Sequence, residues 1–271
     1  AKPAYNREYW KFGIKYSLPI VPHGISQVLL AQFDRIMIRS MVGDAAAGIY
    51  SLAGNVQLVL TVLTDSIATV WSTWFYQKMD ANDTKDIQHR AFQLCRMFAA
   101  LCVGMIAIAP EMIWILGGKQ YEQATYVAVP LIMVSFVLFV YNVVVDAEYY
   151  SQKTTYIMYC TLAAAMIDIV LNLFFVSRFG FVAAAYTTLT SYIFYLIFHM
   201  QLSRKLLGFA IMRWSQVLTL GMAVVLAAVI SLLLRQNILL RYLLELVLLA
   251  VVGGKAAVQE VQTFLKTRKG E

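Results

Sequence analysis

Long apolar runs recur along the chain, separated by short polar connections. They cover residues 12–42, 46–75, 91–116, 126–148, 156–176, 181–202, 215–234 and 238–252. A hydrocarbon core about 30 Å thick is crossed by a helix of roughly 20 apolar residues, and most of these runs meet that length. A membrane β-barrel would need strands of about 10 residues alternating apolar and polar positions. Residues 217–234 are almost wholly apolar and show no such alternation. The pattern predicts an all-α fold, a polytopic transmembrane helical bundle of about eight spanning helices. Pro19 and Pro22 predict a kink or a broken first turn in the first run. The last run is short, and Glu245 lies at its centre.

Polar residues inside these runs fall at helical spacing. In the first, His23, Gln27 and Asp34 share one face, with Arg35 and Arg39 beside it. Gln57, Thr61, Asp65, Thr69 and Ser72 form a stripe in the second run, and Ser135, Asn142, Asp146 and Tyr149 one in the fourth. The fifth carries Thr161, Asp168 and Asn172, and the sixth Thr188, Tyr192, Tyr195 and His199. An ionised side chain at mid-membrane costs about 2.5–3.5 kcal/mol on insertion scales, so such groups turn toward other helices or toward water. For the hydroxyl and amide members, interhelical hydrogen bonding is sufficient reason to be there. For Asp65 and Asp168 a wet cavity or a role in ion coupling is equally expected, because a lone carboxylate at that depth holds a proton or borders water. Asp34 beside Arg35 is expected to orient that guanidinium. Arg241 and Glu245, four residues apart, are expected to pair on one helix face. The seventh and eighth runs, poor in polar groups, are expected to be peripheral and lipid-facing.

Charge placement orients the bundle. Hydrophobic residues make up 61% of the chain and charged residues 14%, against roughly 25% in soluble domains. With the start of the chain in the cytoplasm, sixteen of the 22 Lys and Arg residues fall on the cytoplasmic side. The other six are Arg35, Arg39, Lys119, Arg178, Arg235 and Arg241. Short basic loops resist translocation, so both ends of the chain are expected to be cytoplasmic. The net charge of +7 is spread over alternate loops, which argues against a nucleic-acid partner. Cys95, Cys102 and Cys160 sit in apolar runs with no pairing pattern and read as core residues. The expected organisation is a cytoplasmic lead-in over 1–11, a six-helix lobe over 12–203, two additional helices over 204–256 and a basic cytoplasmic tail over 257–271. The chain opens with Ala1 and a polar stretch, so an upstream half is expected to be missing.

Two stretches resemble the Wzx-like polysaccharide flippases of the multidrug/oligosaccharidyl-lipid/polysaccharide (MOP) exporter superfamily. The first holds Ser17-Leu-Pro19-Ile, Pro22-His23-Gly24, Asp34-Arg35-Ile36, Val42-Gly43, Gly48-Ile49-Tyr50-Ser51 and Trp71-Ser-Thr-Trp74-Phe75. The second holds Gln152-Lys153-Thr154, Asp168-Ile-Val-Leu171-Asn172-Leu173, Arg178-Phe179-Gly180 and Ala183-Ala184-Ala185. The resemblance implies the C-terminal lobe of a two-lobed, MATE-like transporter plus two extra helices. It implies a bacterial inner-membrane protein that is not an enzyme. The implied activity is translocation of an undecaprenyl-diphosphate-linked oligosaccharide by alternating access, in concert with an N-terminal lobe and membrane lipids. In that setting Arg35, Arg39 and, more weakly, Arg96 are the candidates for the anionic substrate, and Asp34, Asp65, Asp146, Asp168 and Asn172 for cavity lining or ion coupling. No cofactor is implied beyond a coupling H⁺ or Na⁺. Asp168 stands where the family often has Asn, and Val182 where it usually has Gly.

Two other functions compete. A cation-coupled multidrug or small-molecule antiporter of the same superfamily would use the acids for coupling and the arginines for structure. A membrane-embedded glycan polymerase or transferase would need sizeable loops carrying acids or a metal site, and the longest connection here, 77–89, is short. The charge pattern yields a direct expectation. A cysteine introduced at Lys119 is labelled by a membrane-impermeant thiol reagent from outside, and one introduced at Asp83 only after permeabilisation. Labelling of both from the same side would refute the orientation.

Overall fold

A computed structural model describes residues 6–269, with side chains at Ala31 and 255–269 excluded from description. The described chain is helical: α1 (Arg7–Ser17), α2 (Ile20–Met41), α3 (Asp44–Asp80), α4 (Thr84–Gly117), a 3-10 turn (Lys119–Ala124), α5 (Thr125–Tyr150), α6 (Thr154–Phe179), α7 (Val182–Leu207), α8 (Trp214–Leu233) and α9 (Ile238–Lys269). Six segments are long and apolar enough to cross a membrane: Asp44–Asp80, Thr84–Gly117, Lys119–Tyr150, Thr154–Phe179, Val182–Leu207 and Trp214–Leu233. The all-α, multi-pass reading therefore holds, with six candidate spans among the described residues. The other two predicted runs lie in α2 and α9. Asp34, Arg35 and Arg39 dilute the apolar stretch of α2, while in α9 the stretch 238–254 is apolar apart from Arg241 and Glu245.

The prolines act where expected. Helix α1 ends at Ser17, Pro19 stands before the first residue of α2, and Pro22 lies in the first turn, where its missing N–H costs no helical bond. Helix α1 begins at Arg7, inside the stretch read as a polar lead-in. Asn6 Oδ1 caps it by accepting from the Glu8 N–H at 2.9 Å. Further on, Gly117 and Gly118 end α4. A side chain at Gly117 would meet Leu52 at 2.6 Å, and Gly118 has φ +70°, a conformation that favours glycine.

The chain divides into two compact units. One contains α1, α2, the last turns of α5 (Val144–Tyr150), α6 and α7; in it α2 packs along α6, and α6 along α7. The other contains α3 from Gly48 on, α4, the 3-10 turn, the rest of α5, α8 and α9, with α8 and α9 packed on α4 and on each other. In this second unit the Phe98 and Phe139 rings stack at 4.0 Å, and the Trp71 indole N–H donates to the Val143 carbonyl at 3.1 Å. Ser231 on α8 donates to the Ile106 carbonyl of α4 at 3.1 Å. The three cysteines are free and buried. Large apolar side chains cover much of the outside, among them Phe174, Phe198, Leu218 and Leu246, as lipid-facing helices require.

One expectation about the last helices is corrected. Val224, Ala227, Ala228 and Ser231 of α8 and Arg241 and Glu245 of α9 are buried, while Leu218, Met222, Leu243 and Leu246 are exposed, the outward face expected of peripheral helices. Arg241 reaches across to Glu111 of α4 rather than pairing with Glu245 along its own helix. A buried guanidinium gains more from a carboxylate it can reach straight across a helix interface, whereas the i, i+4 pairing suits exposed helix faces.

The turn from α3 to α4 is tied by Lys78, whose ammonium contacts Asp83 at 2.9 Å and Asp86 at 2.7 Å. Its hydrogen bond, seconded by the Asp86 backbone N–H, holds the Asp83 carboxyl below the usual carboxylate range. A depressed folded-state pKa stabilises the turn above the unfolded value of about 3.9, and this contribution is lost as pH falls through the folded value. Amide exchange at 81–86 is therefore expected to speed up below about pH 4. The Lys78→Met variant should exchange fast already at neutral pH, and an unchanged profile in that variant would refute the tie.

Candidate functional site

The unit built on α2, α6 and α7 buries a connected set of polar side chains. Asn172 on α6 is its centre. Its amide N–H₂ donates to Asp34 Oδ1 of α2 at 2.7 Å and to Asp168 Oδ2, one turn back on α6, at 3.3 Å. Its carbonyl oxygen accepts from the Thr187 hydroxyl of α7 at 2.6 Å. Thr188 donates to Asp34 Oδ2 at 2.6 Å, and Ser191 to Asp168 Oδ1 at 3.3 Å. Asp34, Asp168, Asn172, Thr187, Thr188 and Ser191 are all buried. The local sequence explains the convergence. Asp168 and Asn172 are four apart on α6, and Thr187, Thr188 and Ser191 fall within little more than one turn of α7. Each helix thus offers one short polar stripe, and the stripes meet because no polar group tolerates lipid.

Two carboxylates that share one amide repel each other in a low-dielectric interior. The arrangement is relaxed when a proton or a small cation offsets one of the charges. Its oxygen atoms come from carboxylates, an amide and hydroxyls, the hard donors that protons and alkali or alkaline-earth cations accept.

A second buried group lies in the same unit. Glu148 near the end of α5 and His199 of α7 meet at 2.6 Å with both side chains fully buried. The His199 ring stands edge-on to Tyr195 at 4.4 Å. The Tyr195 hydroxyl lies 3.0 Å from the Thr161 hydroxyl, which is 2.7 Å from His23 Nδ1 of α2. Gln27 donates to the same tyrosine at 3.4 Å.

Of the residues singled out in the sequence, Asp34, Asp168 and Asn172 come together. Asp34 spends its oxygens on α6 and α7, not on orienting Arg35, which is half-buried next to it. Arg39 is exposed and pairs with Asp44 at 2.6 Å, across the connection to α3. Such exposed pairs contribute about 0–1 kcal/mol. Arg96 donates from Nε to the Val252 carbonyl of α9 at 2.6 Å, in the other unit. Asp65 is exposed on α3, also in that unit. Asp146 is buried, with Tyr16 and Tyr149 as electrostatic neighbours. Sequence reasoning missed Glu148, Thr187 and Ser191 as members of these groups. Thr187 and Ser191 were legible as continuations of the Thr188–Tyr195 stripe. The pairing of Glu148 with a histidine 51 residues away has no local signature.

Comparisons with known proteins fit this architecture. Residues 2–79 match the family model described as polysaccharide biosynthesis protein. The chain is similar to that family. A protein of the Lsg locus of Haemophilus influenzae is 23% identical over 158 residues, covering 56% of this chain and 38% of that protein. An uncharacterized membrane protein of the same organism is 25% identical over 154 residues, covering 55% and 37%. The matches thus span less than two fifths of these relatives. Among solved structures, a MOP superfamily transporter from Pyrococcus furiosus superposes with TM-score 0.60 at 16% identity, over 89% of this chain and 62% of that one. The resemblance read from the sequence is upheld: residues 2–79 match the polysaccharide biosynthesis family model, and the fold is similar to that of the MOP superfamily transporter.

The hub role of Asn172 has a measurable consequence. Asn172→Leu strips a donor from both carboxylates and an acceptor from Thr187, three bonds worth about 0.6 kcal/mol each on the membrane scale. The purified protein in detergent should lose about 2 kcal/mol or more, read as a lower thermal midpoint. Asp65→Asn, on an exposed face, should stay within about 0.5 kcal/mol of wild type. Equal effects from the two would refute the network.

Proposed function

We propose that this chain is part of a transporter that moves an undecaprenyl-diphosphate-linked oligosaccharide across the bacterial inner membrane by alternating access. On this reading α2 and α9 also span, which brings the number to eight and leaves both ends cytoplasmic. The first six spans form the C-terminal lobe, α8 and α9 are the two extra helices, and an N-terminal lobe closes the pathway opposite.

What supports this reading most is the face of α3 that carries Asp65, Ser66, Thr69 and Thr73, all exposed. The three hydroxyls bond back to their own helix, to the carbonyls of Val62, Asp65 and Thr69. That satisfies them singly but leaves the Asp65 carboxylate turned outward. A carboxylate on the outside of a membrane-spanning helix demands water, and a water-filled pathway is how transporters supply it. Arg35 and Arg39 sit on α2 of the other unit, and their guanidinium groups suit a diphosphate or acidic sugar. The acid pair Asp34–Asp168 fits an H⁺- or Na⁺-coupled step.

That pair also favours a second reading, a cation-coupled antiporter for drugs or small molecules. Arg35→Ala separates the two. In the whole protein it should reduce surface polysaccharide export by roughly tenfold or more, the loss expected for one charge-assisted phosphate contact, and leave drug resistance unchanged. Export at wild-type level with altered drug resistance would favour the antiporter.

A further inference from the structure

Within the unit built on α4, α8 and α9, a cavity of about 420 Å³ opens where α4 ends and the chain turns from α8 into α9. That size lies within the range of small-molecule sites, about 300–1,000 Å³. Its charged lining is Glu111, Lys119, Glu122, Arg235 and Arg241. Arg235 pairs with Glu122 and Arg241 with Glu111, so both ion pairs belong to the wall. The wall is nevertheless incompletely satisfied. Arg241 is only 1% exposed, yet its Nε donor has no hydrogen-bond partner among the described residues, and neither has the buried Oε2 of Glu111. Lys119 stands exposed at the mouth.

The surroundings state what kind of molecule can enter. Trp114, Leu116, Leu233 and Leu239, all at this end of the helices, are exposed, Leu239 by 83%. Such residues border acyl chains, and a tryptophan among them marks the level of the headgroups. A charged cavity at that level takes an amphiphile, with its polar head in the cavity and its chains beside Leu233 and Leu239. The head must accept hydrogen bonds from Arg241 Nε and Lys119, as a phosphate does, and donate one to Glu111, as an ammonium does. The lining carries both signs of charge, Lys119, Arg235 and Arg241 beside Glu111 and Glu122. A head that carries both a phosphate and an ammonium meets both.

We propose that this cavity binds the headgroup of phosphatidylethanolamine. Phosphatidylcholine offers the same phosphate but has no N–H to donate, and phosphatidylglycerol has no ammonium to set against Glu111 and Glu122. The site does not depend on what the protein transports.

The test is native mass spectrometry of the purified protein released from membranes containing all three lipids in equal amounts. Wild type should retain phosphatidylethanolamine about tenfold over phosphatidylcholine and phosphatidylglycerol, the weight of one hydrogen bond to a charged group. Glu111→Gln should erase the preference over phosphatidylcholine, and Lys119→Ala, at the exposed mouth, should weaken retention of all three. Arg241→Met, which opens a buried pair, is read only beside these two and only if its melting curve is cooperative. Glycerophosphoethanolamine, the head without chains, should not compete. Equal retention of the three lipids by wild type, preference for phosphatidylglycerol, an undiminished preference in Glu111→Gln, or competition by the chainless head would each overturn the proposal.

Discussion

The constraint from which the structure follows is that a polar group inside a membrane must find a partner inside the protein. Backbone groups meet it by forming helices, which is why the described chain is helical from α1 to α9. Side chains meet it by converging. Asn172 satisfies two carboxylates on two helices at once and accepts from a third helix, so α2, α6 and α7 are fixed in register by one amide. Apolar packing alone would not do this, since lipid is as apolar as leucine and offers helices no hydrophobic reason to prefer one another.

The same constraint separates structure from candidate chemistry. Thr64, Ser135 and Ser203 bond backbone carbonyls of their own helices and serve local needs. The Asp34–Asp168 pair and the Glu148–His199 pair are different, because each places ionisable groups in contact where solvent cannot reach. Burying such a pair costs more desolvation than hydrogen bonding of neutral groups would, so stability by itself is a poor reason for either. The exposed Asp65 on α3 makes the complementary point, since its carboxylate faces outward midway along a spanning segment.

The arginines divide by environment. Arg96 and Arg241 are tied to neighbouring helices, one to a backbone carbonyl and one to a carboxylate, and help to dock α9 on α4. Arg39 holds the connection between α2 and α3. Among the described residues Arg35, half-buried beside Asp34, makes no such tie.

Much of this was fixed by local sequence. Run length and absence of alternation determine spanning helices, because bilayer thickness and the helical rise set the count of apolar residues needed. Prolines 19 and 22 determine the break between α1 and α2, since a proline ring lacks the donor that a continuous helix uses. Spacing of four places Asp168 and Asn172 on one face, whatever that face meets. Partnership was decided only by the fold. Asp34 was adjacent to Arg35 and Arg241 was one turn from Glu245, yet Asp34 turned to residues more than 130 positions away and Arg241 to Glu111. Sequence spacing describes a single helix, whereas a buried charge takes the partner that removes it from lipid, and that partner lies on another helix.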